Sequence, residues 1–168
     1  MGMLTSKNNQ ILIQGITGKQ GTIICRDMLD YGTNVVAGVT PGKGGARIYN
    51  IPVYNSVDEA LKHHTNINVS LITVPRQAAC EAVLETIGKR KIKLINLLTE
   101  GVPVRDIAEI VLAARKNAVQ LVGPSSVGII CPADNVKIGA IGGRDPGVFY
   151  PGEIAVFSKS GGMCLSLA

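Results

Sequence analysis

Three stretches of this sequence hold residues whose types and spacing could do chemistry. The first is Gly15, Gly18 and Gly21, three apart, directly after Ile11-Leu12-Ile13-Gln14. At a strand-to-helix junction of this kind the first glycine lets the chain leave the strand in a tight turn. The second lets backbone approach a ligand, and the third lets the helix pack close to the strand. The N–H groups that open such a helix have no partner inside it, so an anion can take them. The second stretch is Thr40-Pro41-Gly42-Lys43-Gly44-Gly45-Ala46-Arg47, after the apolar Val35-Val36-Ala37-Gly38-Val39. A dinucleotide-binding unit carries an acidic residue there to hold a pair of ribose hydroxyls. Lys43 and Arg47 with no carboxylate argue against NAD and for a ligand with an extra phosphate, such as NADP or coenzyme A. The third stretch, Ser158-Lys159-Ser160-Gly161-Gly162, repeats the first device after Glu153-Ile154-Ala155-Val156-Phe157.

The elements that must position these residues alternate along the chain. A helical face of Ile23, Ile24, Met28 and Leu29 runs to about Tyr31, where Gly32 can end it. Ile51-Pro52-Val53-Tyr54 is a short extended piece, and Ser56-Val57-Asp58-Glu59 has the spacing of a capping box. His63 and His64 fall near that helix's end and read as surface residues. Val69 to Val74 is a strand stopped by Pro75, and Ala79, Val83 and Ile87 then recur four apart on a helix face. Lys89-Arg90-Lys91 reads as a solvated helix end. Lys93 to Leu98 is a strand leading through Thr99-Glu100-Gly101-Val102-Pro103 into a helix with Ile107, Ile110, Val111 and Ala114 on one face. Gln120-Leu121-Val122 is a further strand. From Cys131 to Tyr150 the pattern weakens, with a short strand at Val136-Lys137-Ile138, before a last strand at Glu153–Phe157. After Gly162 fewer than two turns remain, too few for a helix to hold alone, so disorder is expected past about Met163 unless those turns dock.

Alternation with short connections predicts an α/β, Rossmann-like, doubly wound and mostly parallel sheet with helices on both faces. The ligand then sits at the carboxyl ends of the strands. Residues 1–150 read as one such domain and residues 151–168 as a last strand and helix start leading into a second domain.

Composition narrows the function classes. The chain has 168 residues, 46% of them hydrophobic, and 20 glycines, as a buried sheet with many turns requires. No apolar run reaches the roughly 18 residues of a membrane span, and the first residues have no signal-peptide core. A cytoplasmic protein with no membrane partner is the expectation. The four cysteines, Cys25, Cys80, Cys131 and Cys164, are scattered and read as reduced thiols, with no metal site. A formal charge of +5 favours anionic partners. With no Trp, two Phe and four Tyr, platforms for stacking bases are scarce, which argues against nucleic acid.

In their order, Gly15-Ile16-Thr17-Gly18-Lys19-Gln20-Gly21, Thr40-Pro41-Gly42-Lys43-Gly44-Gly45, Thr99-Glu100-Gly101-Val102-Pro103 and Ser158-Lys159-Ser160-Gly161-Gly162 resemble the N-terminal, CoA-binding domain of succinate–CoA ligase α subunits. The resemblance covers nearly the whole chain. It implies that coenzyme A is held first by Gly15, Thr17, Gly18, Lys19, Gln20 and Gly21. Pro41 and Lys43 follow, with Lys43 on the phosphates, and then Val74, Pro75, Thr99, Glu100 and Ser126. It implies too that Ser160, Gly161 and Gly162 hold the phosphate of a phosphohistidine. Its further implications are a β subunit that binds ATP or GTP with Mg, and a small carboxylic acid substrate. The family's phosphorylated histidine lies in a following domain in a Gly-His-Ala-Gly type motif, and neither His63 nor His64 matches it. No catalytic residue is therefore expected in this chain, which alone should be inactive.

One difference concerns the acid. The family usually has Pro-Asn-Cys-Pro-Gly where this chain has Pro124-Ser125-Ser126-Val127-Gly128, so a hydroxyl stands in place of a thiol. That region is more similar to ATP citrate lyase, which leaves citrate as an alternative substrate. A non-catalytic module that binds CoA or NADP is the alternative from a different class.

Overall fold

All four residues of β1 (Ile11–Gln14) are buried. A strand covered on both faces reads as a continuous apolar run, and β1 is such a strand. The computed structural model describes residues 5–89, 91–143 and 145–167. After β1 come α1 (Lys19–Asp30), β2 (Val35–Val39), β3 (Arg47–Ile48), β4 (Ile51–Tyr54) and α2 (Val57–His63). Then follow β5 (Val69–Ile72), α3 (Ala79–Ile87), β6 (Leu94–Leu97), α4 (Val104–Lys116) and β7 (Gln120–Val122). The seven strands form one sheet in the order β3-β4-β2-β1-β5-β6-β7, with β1 at its centre. Every pairing is parallel except the hairpin of β3 with β4. The architecture is the doubly wound, Rossmann-like one that the alternation predicts.

Period-two alternation divides the strand residues between two cores. Leu12, Ala37, Val39, Ile72, Ile95 and Leu97 pack with Val57 and Ala60 of α2, Ala79 and Val83 of α3, and Ile110 and Ala114 of α4. On the other side Ile11, Ile13, Val35, Val53, Val69 and Leu71 pack with Ile24, Cys25 and Met28 of α1. That second core also takes in Val136 and Ile138, which belong to a hairpin of β8 (Gly128–Cys131) with β9 (Val136–Gly139). Only the β9 half of this hairpin was legible as a strand. The Asn96 amide donates to the Ile138 carbonyl at 3.0 Å, and the Thr33 hydroxyl donates to the Lys137 carbonyl at 3.0 Å. These bonds fasten the hairpin over β6 and the end of α1. Lys137 itself is buried, its ammonium donating to the Gly143 carbonyl. Burial pulls its pKa down while the charge of Asp27 opposes that.

Polar anchors join the layers near the glycine turn. The Gln14 amide donates to Ser70 Oγ at 3.1 Å and Thr86 Oγ1 at 2.6 Å, joining β1, β5 and α3 through partners that a buried amide requires. Ser56 caps α2 by accepting from the Glu59 N–H at 3.1 Å, as its spacing predicts. The Glu59 carboxylate reaches back one residue further than a capping box would, accepting from the Asn55 N–H at 2.8 Å.

Several expectations need correction. Glu153–Phe157 is not a strand: the segment joins no ladder among the described residues and is exposed throughout, Ile154 at 88% and Phe157 at 84%. An apolar run becomes a strand only where an edge is there to pair with it, and here it meets none. Helix α5 (Gly161–Leu167) continues beyond Met163, yet none of its residues is buried. Lys89 and Lys91 are less free than a solvated helix end suggests: Lys89 pairs with Asp58 at 2.6 Å, and Lys91 donates to the Thr65 carbonyl at 3.1 Å. Arg90 lies outside the described residues.

Candidate functional site

The first glycine turn is shaped by close approach. Gly15 has φ +81°, and a Cβ there would lie 2.8 Å from the Thr73 carbonyl oxygen. At Gly21 a Cβ would run into the carbonyl of Gly15 and lie 3.0 Å from Ile16 Cα. The turn is closed by the Gly15 N–H donating to the Val39 carbonyl at 2.8 Å and the Gly18 N–H to the Gly15 carbonyl at 3.0 Å. Gly18 is the N-cap of α1, and no side chain caps that end. The N–H groups of the first turn therefore face the outside at the positive end of the helix dipole, beside the exposed Lys19 and Gln20. One turn further along, Cys25 is buried, and burial pushes its thiol up to about 11, which removes it as a nucleophile at neutral pH.

The second loop is held against the first. The Thr17 hydroxyl donates to Thr40 Oγ1 at 3.2 Å, and the Thr40 hydroxyl donates to the Val39 carbonyl at 2.8 Å. Pro41 and Lys43 lie on this loop, both exposed. Arg47 parts company with Lys43, because its guanidinium donates to the Asn50 carbonyl at 2.9 Å, inside the β3–β4 turn. Among the described residues the lysine is thus the loop's uncommitted cation. Behind the loops a cavity of about 140 Å³ is lined by Gln14, Val39, Pro41, Val74, Ala78 and Ala82, with Glu81 and Glu85 on its α3 side.

The remaining residues come to the same end of the sheet. The Thr73 hydroxyl reaches Gln20 Oε1 at 3.4 Å, and the Thr99 hydroxyl donates to the Val74 carbonyl at 2.7 Å. The ends of β5 and β6, carrying Val74, Pro75, Thr99 and the exposed Glu100, are thereby tied to α1 and to each other. The Ser126 N–H donates to the Leu97 carbonyl at 3.3 Å, while its hydroxyl accepts from the Gly128 N–H at 3.1 Å. Gly161 packs on Val127, next to Ser126, so closely that a Cβ would collide with the valine side chain. Ser160 caps α5 weakly, its hydroxyl accepting from the Met163 N–H at 3.4 Å.

Sequence reasoning passed over Arg76. It is exposed directly after Pro75, beyond the end of β5, with its side chain against the Gly101 turn, and the signal was a basic residue following a proline that ends a strand. His63 and His64 stand apart from these loops. They flank Tyr54, His63 stacked on its ring at 5.3 Å and His64 Nε2 at 3.0 Å from its hydroxyl. His64 is half-buried rather than a surface residue, and desolvation with the neighbouring His63 lowers its pKa.

Glycine turns, an uncapped helix N-terminus and a lysine loop gathered at the carboxyl ends of a parallel sheet define a Rossmann-like domain for a phosphate-bearing cofactor. Residues 6–101 match the CoA binding domain family, and the chain belongs to that family. It is 42% identical over 164 residues to the succinate–CoA ligase (ADP-forming) subunit alpha of Aquifex aeolicus, covering 96% of this chain and 52% of that protein. The subunit alpha 1 of the same ligase from Archaeoglobus fulgidus is 40% identical over 161 residues, covering 96% of this chain and 53% of that one. The chain is thus homologous to these α subunits and spans about half the length of the curated relatives it matches. Among solved structures, ATP citrate lyase from Methanothrix soehngenii, in complex with citrate and coenzyme A, superposes with a TM-score of 0.74 at 22% identity. That match covers 84% of this chain and 24% of the other, and it shows a shared fold. Among the described residues no helix is long and apolar enough to cross a membrane.

Proposed function

We propose that this chain holds coenzyme A for an acid–CoA ligase of the succinate–CoA ligase type. The observation that carries the reading is the uncapped N-terminus of α1 lying beside a loop with one uncommitted lysine and no carboxylate. Gly15 and Gly21 let strand, turn and helix close on one another where a Cβ would collide, which fits the tight turn that sets a helix N-terminus against a pyrophosphate. In this reading the N–H groups of Lys19, Gln20 and Gly21 and the Lys43 ammonium neutralise CoA phosphates. The cavity behind Pro41 and Val74, with Val39, Ala78 and Ala82 as its apolar walls, takes the flat base, and Thr99, Glu100 and Ser126 line the way toward the thiol. Bound CoA would supply a thiol that loses its proton and attacks the acyl carbon of an acyl phosphate, forming the C–S bond of the thioester as the acyl C–O bond breaks and inorganic phosphate leaves.

The same reading assigns Ser160, Gly161 and Gly162 to the phosphate of a phosphohistidine, and ATP or GTP with Mg to a β subunit. The histidine would lie in a following domain, into which residues 151–168 lead. On this reading the chain alone performs no ligation, and the ligase works in the cytoplasm. Ser126 in place of a cysteine keeps citrate as the alternative acid beside succinate.

Calorimetry with CoA, NAD and NADP tests the reading: CoA binds most tightly. Replacing Lys43 with Ala removes a charge-assisted contact worth about 1.5–3 kcal/mol, hence roughly tenfold or more in affinity. Binding of NADP without CoA would replace this reading with that of a redox or sensor module.

A further inference from the structure

The loop that carries Lys43 is built on glycines, and glycine loops lose more conformational entropy on ordering than any other. Something must therefore fix the lysine if it is to meet a phosphate. The structure supplies a clamp from outside the loop. Asn55, directly after β4, turns its side chain over the loop so that Oδ1 accepts from the Gly42 N–H at 3.0 Å and from the Gly44 N–H at 3.0 Å. These are the two neighbours of Lys43. The fit is tight, since a Cβ on Gly44 would collide with the Asn55 amide. Asn55 is itself fixed, its N–H donating to the Glu59 carboxylate at 2.8 Å, while the Glu59 N–H is held by Ser56 in the first turn of α2. A chain of bonds thus runs from the N-terminus of α2 through Glu59 and Asn55 to both sides of the lysine.

We propose that Asn55 is a positioning residue for Lys43: it holds the Gly42–Gly44 backbone in the one arrangement that presents the ammonium to a phosphate of CoA, without touching CoA itself. The proposal rests on the CoA reading above. Pre-ordering of this kind raises affinity by lowering the ordering cost that binding would otherwise carry. It also makes the contribution of Asn55 conditional on Lys43, a dependence that a general stabilising role for Asn55 would not produce.

The test is titration of the 168-residue chain with CoA at low and moderate salt, for wild type, Asn55→Ala, Lys43→Ala and the double variant, with amide exchange of Gly42 and Gly44 followed by NMR. Asn55→Ala is expected to weaken CoA several-fold and flatten the salt dependence, and in the Lys43→Ala background to cost nothing further. Asn55→Asp keeps an acceptor in place, so it retains slow exchange at Gly42 and Gly44 where Asn55→Ala loses it. A wild type that binds no CoA overturns the underlying reading. A wild type that binds CoA, with Asn55→Ala equal to it or with additive losses in the double variant, overturns the Asn55 proposal alone.

Discussion

The chain contains the same device twice, an apolar run, a glycine turn and a helix start, and the two copies have different fates. At Ile11–Gly21 the run is a fully buried strand between two others, and the helix lasts 12 residues with a buried face. At Ile154–Gly162 the run pairs with nothing among the described residues and stays exposed, and the helix lasts seven residues with none buried. Glycine spacing is common to both. What separates them is the ladder on either side of β1, which supplies the burial that a short helix needs to persist. The persistence of a glycine turn and its helix is therefore a property of the sheet beneath it as much as of the glycines in it.

The widest gap between the two copies should open when an apolar side chain is cut back. Ile13→Ala in β1 leaves a cavity in a closed core and should cost about 2–5 kcal/mol. Phe157→Ala should fall within about 0.5 kcal/mol of wild type, as exposed substitutions do. Urea melts of both variants measure this, and a large loss at Phe157 would mean that its segment is packed after all.

A smaller gap is expected between the glycines. Gly21→Ala drives a Cβ into the Gly15 carbonyl, so the turn must shift. The expected cost is about 1–3 kcal/mol, with CoA affinity reduced at least tenfold. Gly162→Ala meets nothing within 4 Å and should gain about 0.5–1 kcal/mol of local helix propensity. Circular dichroism with calorimetry checks both, and equal effects at the two glycines would erase the distinction.

The least of the three effects concerns pH, to which the buried region should respond through His64. Its folded pKa is lowered from the ordinary value near 6.5, chiefly by desolvation and then by His63. The unfolded chain therefore binds the proton more readily. The sign follows: the contribution is complete above about pH 6.5 and is lost as pH falls through the folded pKa. Thermal melts should show a lower Tm at pH 5 than at pH 7, with a shallower fall in His64→Gln. An unchanged slope in that variant would assign the acid sensitivity to other groups.

Much of the sheet was legible because its strands are buried on both sides and its helices on one. Val35–Val39 and Gln120–Val122 have the bounds that pattern alone predicts, and Ala79, Val83 and Ile87 are the buried face of α3. The β8 half of the hairpin was not legible, because Gly128–Cys131 is only half-buried and its partner is set by contact with β9 and α1 rather than by local pattern. At the site, the glycines and Lys43 stood out by type and spacing. Arg47 misled because its tie to the Asn50 carbonyl depends on a backbone turn with Tyr49 at φ 47° and Asn50 at φ 68°. Asn55 gave no signal, since a lone asparagine after a strand marks an ordinary turn until the loop it caps is seen.

The two rims of the sheet remain. One ends in β3, two residues long and antiparallel to its neighbour, and the other in β7, three residues long. Open strand edges invite other chains to continue the ladder, and shortness is one of the ways proteins prevent it. A foreign strand laid along either rim would find at most one or two hydrogen bonds before the backbone turns away. The sheet is therefore self-terminating: its growth stops at residues whose contribution is brevity.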